Sequence, residues 1–296
     1  MIDSENNSTL QRTLSRPVSF QGKGLHTGQK AHITLRPAQP DTGIIFRHIT
    51  ANGQPTDIPA HWKKIKTLPL CTCIAAGDVQ IRTIEHLMAA LYACQITNLL
   101  IEVSGNEIPI LDGSAYPFIK DIETAGTEIQ NEPVRYIKIL KPVEFTEEER
   151  FIRIEPSDDF AINLSISLAK IGKLNWQGKV TPDLFKEQIS PARTFGRLRN
   201  GLLAKLFTRF KKDPTCLGAN TSSALVIVGD KVINKGGLRM PDEIISHRVL
   251  DTVGDMMLIG APIKGSLIGN STAHRLNHGL MKKLFSDDDA WRWEES

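Results

Sequence analysis

The segment EIISHRVLDTVGDMML, residues 243–258, carries His247, Asp251 and Asp255 at intervals of four. On a helix such positions form one stripe. His-x-x-x-Asp places an imidazole and a carboxylate on adjacent turns, a spacing that one zinc ion can bridge, since zinc accepts both nitrogen and oxygen ligands. Asp255 lies eight residues beyond His247, about 12 Å along a helix axis. Zinc bonds are only about 2 Å long, so Asp255 is cast instead as a group that orients another side chain. A catalytic zinc keeps three protein ligands and one open position, and the third ligand must come from elsewhere. Among the eight histidines, His86 stands out. It sits beside Glu85 in RTIEHLMAAL, near the start of an otherwise apolar helical pattern. In that arrangement the imidazole can bind the metal while the carboxylate takes a proton from water. His274, in STAHRLNHGL, gains a role if Asp255 pairs with it, because a carboxylate-paired imidazole stays protonated to higher pH and can act as a general acid. Taken singly, each feature has a plainer reading: a solvated polar face, an acid favoured by the helix dipole, a structural histidine.

The elements that must position these groups are legible only coarsely. With 296 residues, 41% hydrophobic and 23% charged, the chain can bury one or two sizeable cores. The net charge of +3 permits an anionic substrate or a membrane surface and demands neither. No long basic tract is interleaved with aromatics, so nucleic acid is not expected as a partner. The polar start, MIDSENNSTLQRTL, has no leader-like apolar region, and no run approaches the roughly 18 apolar residues of a membrane span. Four cysteines without a disulfide-like spacing point to a reduced, cytoplasmic protein.

Residues 1–10 read as a disordered extension. Short β-type runs follow from 17 (PVSFQG, AHITLRPA, GIIFRH, LCTCIAA, VQIRT), then a helix over 83–94 and a buried strand over 98–103. The polar stretch 126–134 is the expected domain boundary. Beyond it come strands again (RYIKIL, VEFTEEERFIRIEP, FAINLSISL) and helical segments near 181–190, 198–211 and 242–259. Both halves run strands first, then helix, which predicts two α+β domains. GKGLHTG is glycine-rich without the spacing of a dinucleotide fingerprint. Cys71-Thr-Cys73 reads as strand packing rather than half a metal site. The run LLAKLFTRFKKDP, residues 202–214, is apolar plus basic; it fits a solvated amphipathic helix, a lipid contact or the wall of an apolar groove.

Eight motifs, GLHTG, LCTC, TIEHLMAAL, EIPILDGSAYPF, ARTFG, GLRMPDE, HRVLDTVGD and AHRLNH, occur in the order found in the UDP-3-O-acyl-N-acetylglucosamine deacetylases, which carry out the committed step of lipid A synthesis in Gram-negative bacteria. The resemblance runs from about residue 11 to 293. It implies a zinc amidase with His86, His247 and Asp251 as ligands, Glu85 as general base, His274 as general acid, Asp255 as its supporting carboxylate and Thr194 as the residue that helps hold the oxyanion. It further implies that Phe195, Arg248, Leu25, His26 and Cys71 meet the substrate. Fe2+ suits the same ligands as Zn2+. The implied fold is α+β: two domains of like topology, residues 11–130 and 131–296, each a mainly antiparallel sheet packed on helices as a two-layer sandwich. The active site would lie at their interface, with an insert over about 196–222 forming a passage for the acyl chain. A monomer is expected, without stable membrane insertion but with transient contact at a membrane surface allowed. The chain departs from the family pattern at Arg248, where a lysine is usual beside the second ligand, and at Arg275, beside the proposed acid. A zinc amidase acting on another N-acetyl sugar, or a non-catalytic paralogue that binds a UDP-lipid, are the competing readings.

Overall fold

The structure, a computed structural model, describes residues 9–49 and 54–295. Residues 1–8 of the expected extension lie outside the described part, whereas Leu10 already opens a strand, Leu10–Leu14. That strand pairs antiparallel with Thr127–Pro133. The polar stretch expected to be a boundary is therefore an ordered ribbon. Its alternating backbone groups find partners even though its side chains supply little apolar area.

The fold is α+β, with mixed sheets and six helices. A five-stranded sheet is ordered Val18–Lys23, Lys30–Pro37, Leu99–Ser104, Ile44–Ile49, Pro55–Pro59. Its pairs are antiparallel except Ile44–Ile49 against Leu99–Ser104. In Lys30–Pro37 alternate residues Ala31, Ile33 and Leu35 are buried, the period of two that a half-covered sheet imposes. The covering layer is helix α1 (Glu85–Ala93) and helix α2 (Tyr116–Ala125), with Phe118 edge-on to Phe20 at 4.9 Å. A small meander of Ile65–Leu68, Cys71–Ala76 and Val79–Arg82 feeds directly into α1.

A seven-stranded sheet forms from Arg135–Ile139 to Trp291–Glu295, around the central strand Ile263–Asn270. That strand pairs antiparallel with Arg150–Glu155 and parallel with Phe160–Leu168. A short turn α3 (Pro182–Leu184) continues as one π-helical turn, Phe185–Ile189. Helix α4 (Leu198–Thr208) stands on the surface. Helix α5 (Glu243–Met256) is buried at every residue except Arg248, and helix α6 (His274–Leu284) packs on the sheet beside it. An all-round buried helix is an apolar helix, and that explains why the polar groups of α5 stand out in its sequence. Helices α1 and α5 press together so closely that a Cβ on Gly254 would sit 2.0 Å from the carbonyl oxygen of Glu85. Glycine is required there to let the two backbones touch. No helix among the described residues is long and apolar enough to cross a membrane.

Candidate active site

The contact of α1 with α5 brings three ligating side chains together. His86, the second residue of α1, faces His247 and Asp251 on α5; one ligand atom from each lies within 4.8 Å of the others, and all three residues are buried. Asp251 Oδ1 is 3.3 Å from His247 Nε2 and 3.7 Å from His86 Nε2. His247 is turned by its other nitrogen: Nδ1–H donates to the Ala192 carbonyl at 3.0 Å, which directs Nε2 towards Asp251. Ala192 is itself held by its neighbour Arg193. The Arg193 guanidinium makes a buried pair with Glu243, the first residue of α5, at 2.6 Å, and Glu243 also accepts from the Arg193 amide. Asp251 Oδ1 is buried, and among the described residues no hydrogen bond reaches it. A carboxylate oxygen and imidazole nitrogens thus converge on one point with no donor between them, an arrangement whose repulsion a cation relieves. The donor set fits zinc. Burial, then the neighbouring His247, pushes His86 down to about 3, so it stays neutral, the form in which an imidazole can bind a metal. Burial alone would raise Asp251, but His247, His274 and Arg248 hold its carboxylate well below the usual range.

A second cluster lies one turn along. Asp255 Oδ2 accepts from His274 Nδ1 and from Asn277 Nδ2, each at 2.8 Å, and Oδ1 accepts from the Thr72 hydroxyl. Burial would lower His274, yet the carboxylates of Asp255, Glu85 and Asp251 outweigh it and raise the imidazole to about 10. Its Nε2 then points towards Glu85 Oε1, 3.7 Å away. Burial raises Glu85 to about 8, partly opposed by the charge of His274. The Thr72 amide donates to Glu85 Oε2 at 3.0 Å, so one residue holds the carboxylates of both Glu85 and Asp255. His278 Nε2 lies 2.9 Å from the same Thr72 oxygen, and burial pushes His278 down to about 4, leaving it neutral.

Glu85, His86, His247, Asp251 and His274 line a cavity of about 720 Å³ whose apolar wall is Phe195, Leu198, Leu202, Leu225 and Ile233, with the Phe195 ring edge-on to His247 at 6.2 Å. Thr194 also lines the cavity, its backbone pinned to Gly113 and Leu225 at 2.7 Å each. Gly113 must be glycine, since φ is +88° and a Cβ would strike the Ser223 carbonyl. Arg248 touches both Asp251 and Phe195: Nη1 donates to Asp251 Oδ2 at 3.1 Å and the guanidinium lies 5.5 Å over the Phe195 ring. Leu25 and His26 reach the cavity from GLHTG, a loop tied down by buried Glu107, which accepts from the amides of His26 and Thr27 and from two threonine hydroxyls. Burial lowers His26 to about 4. Arg275 lines the rim and pairs with Glu147 at 2.6 Å.

One expected contact is not formed. Cys71 is fully buried and does not line the cavity, and burial drives its thiol far above the ordinary range. It packs inward, as the strand reading of Cys71 and Cys73 implied, while Leu70 takes the place at the cavity. The sequence reading overlooked Thr72, Asn277, His278, Glu107 and the Arg193–Glu243 pair. Two of these carried a signal. Thr72 lies between two inward cysteines on a strand and must face the other side, and His278 follows His274 by four residues on a helix.

Residues 11–286 match the family model for UDP-3-O-acyl N-acetylglycosamine deacetylase (LpxC). The chain belongs to this family. Relatives named UDP-3-O-acyl-N-acetylglucosamine deacetylase bear this out. One from Coxiella burnetii is 39% identical over 95% of this chain and 92% of its own length. One from Syntrophotalea carbinolica is 37% identical over 97% and 91%. One from Vibrio parahaemolyticus is 36% identical over 96% and 92%. The matched region contains every cavity-lining and site residue described above, from Leu25 to His278.

Proposed function

We propose that this deacetylase removes the N-acetyl group of UDP-3-O-acyl-N-acetylglucosamine, giving acetate and the free amine, with zinc held by His86, His247 and Asp251. The observation that carries the reading is Asp251 Oδ1, buried without a donor and facing two imidazole nitrogens. Zinc, when bound, supplies a Lewis acid that acidifies water and polarises an amide carbonyl. Fe2+ fits the same donors.

The chain's own residues supply the rest. Glu85, raised by burial and anchored on the Thr72 amide, takes a proton from the attacking water. The Thr194 hydroxyl donates to the oxygen that gains charge as the carbonyl becomes tetrahedral. His274, kept protonated by Asp255, gives its Nε2 proton to the departing sugar nitrogen as the C–N bond breaks. Water thus adds OH to the acetyl carbon and H to the amine. Phe195, Leu198 and Leu202 seat the acyl chain, and the Arg248 groups not used by Asp251 face the diphosphate. His26 and Leu25 close the opposite side. The reading includes a two-domain organisation, residues 11–130 and 131–296, with the site between them, and a monomer acting in the cytoplasm.

The apolar wall favours an acylated substrate over a soluble N-acetyl sugar, which would leave that wall against water. The test is mass spectrometry of UDP-3-O-acyl-N-acetylglucosamine incubated with purified protein. Loss of one acetyl group, stopped by a chelator and restored by zinc, is expected. A folded, zinc-loaded protein that leaves this substrate intact and deacetylates a non-acylated sugar would overturn the reading.

A further inference from the structure

Helix α4 is built inside out. Its small or polar residues Gly201, Ala204, Lys205 and Thr208 are the half-covered ones. Lys205 Nζ donates to the Ala219 carbonyl and Thr208 accepts from the Thr215 amide, so the helix is anchored by its polar face. Its apolar face looks outward: Leu202 is 57% exposed, Leu206 63%, Phe207 68% and, just past the helix, Phe210 90%. A surface helix normally turns this stripe to the core. Isolated exposed apolar side chains are ordinary, but a contiguous patch of two phenylalanines and several leucines marks a surface that meets something else.

Charge indicates what that is. From Gly196 to Lys212 the chain holds Arg197, Arg199, Lys205, Arg209, Lys211 and Lys212 and no carboxylate. Among the described residues Arg199, Lys211 and Lys212 make no ion pair. The Arg209 guanidinium lies 4.8 Å over the Phe210 ring, at the edge of the patch. Exposed phenylalanine and leucine rimmed by unpaired cations match the two layers of an anionic bilayer surface, acyl chains beneath and phosphates above. A protein partner would instead bury most of its contact away from charge.

We propose that the outward face of α4, continued through Phe210 to Lys212, docks this protein on an anionic lipid bilayer. Leu206, Phe207 and Phe210 enter the acyl boundary while Arg199, Arg209, Lys211 and Lys212 meet the phosphates. The face is continuous with the cavity, since Leu198 and Leu202 of the same helix line its apolar wall. An acyl chain passing from bilayer to cavity would stay on apolar surface throughout; that consequence rests on the deacetylase reading, whereas the docking does not.

The test is flotation of the full chain with vesicles of equal parts phosphatidylglycerol and phosphatidylcholine, and with phosphatidylcholine alone, at low and high salt. Binding to the anionic vesicles, weakened by salt, is expected. Phe207→Ser with Phe210→Ser should lower the partition coefficient about tenfold or more, and Lys211→Glu with Lys212→Glu should lower it by at least as much. Both pairs lie outside the cavity, and both variants should melt at the wild-type temperature. The proposal fails if the wild type does not float with anionic vesicles, or if the phenylalanine variant floats as well as the wild type. It fails equally if sedimentation shows a dimer that the phenylalanine variant abolishes, because a second copy then covers the face. Turnover is not read, so a wrong substrate assignment leaves this result unchanged.

Discussion

Replacing Asp255 by asparagine removes a charge while keeping the shape of its hydrogen bonds. The asparagine oxygen can still accept from His274 and Asn277, and its NH2 can donate to Thr72, whose hydroxyl turns towards His278. What changes is the proton affinity of His274. Burial pulls it down, and Asp255 is the first of the groups that raise it from 6.5 to about 10. With that charge gone, burial wins or nearly wins, and the imidazole returns towards 6.5 or below. The sign follows from the role: a general acid must be protonated, and a raised pKa keeps it so until pH passes the raised value. At about pH 7.5 the wild-type ring is almost wholly protonated, whereas a ring titrating at the ordinary histidine value is about one tenth protonated. The expected loss in kcat is therefore about tenfold or more at that pH, short of the roughly 10²–10⁴ that losing a general acid altogether costs. The loss should narrow as pH falls. The assay is a pH profile of kcat for wild type and Asp255→Asn, paired with NMR titration of the His274 Cε1–H signal. An alkaline limb that stays in place in the variant, or a His274 signal that titrates alike in both, would refute the account.

Other outcomes follow from the same geometry. Glu85→Gln should lower kcat by about 10²–10⁴ while zinc content, read by atomic absorption, stays at the wild-type level. Asp251→Ala should abolish tight zinc binding in calorimetry, and added zinc should raise the melting temperature of the wild type but not of the variant. Thr72→Val strands Asp255 Oδ1 and His278 Nε2 and should cost about 1–3 kcal/mol in chemical denaturation; Thr72→Ser should restore most of that stability and activity. Gly254→Ala forces a methyl group against the Glu85 carbonyl; overpacking of this kind should cost about 1–3 kcal/mol or more and lower turnover as well.

The stripe on α5 was legible because polar residues on an apolar helix contrast with their surroundings. His247, Asp251 and Asp255 all reported themselves by spacing, and Asp255 was separated from the ligands by arithmetic alone. His86 was legible as a polar pair on an apolar helix, although nothing in the sequence shows that α1 touches α5. That contact depends on Gly254, and a lone glycine in a helix gives no clue to what approaches it. Thr72 was missed because the cysteines on either side drew attention to the wrong face of the strand. The ribbon of Thr127–Pro133 with Leu10–Leu14 was missed for another reason: an edge strand held by backbone bonds has no apolar alternation to read. In helix α4 the apolar and basic halves were both legible, but not that the apolar half faces outward.

The contact at Gly254 also sets when the site can come into being. His86 precedes His247 by about 160 residues. A growing chain carries His86 and Glu85 long before α5 has been synthesised. During that interval one imidazole alone is a poor metal ligand, and Glu85 has no cation beside it. The three side chains that could hold a metal therefore come together only after α5 has been made, and His274 arrives later still, with the last helix, α6. The long separation makes closure slow in folding terms, and until it happens the set of side chains that could hold a metal is incomplete.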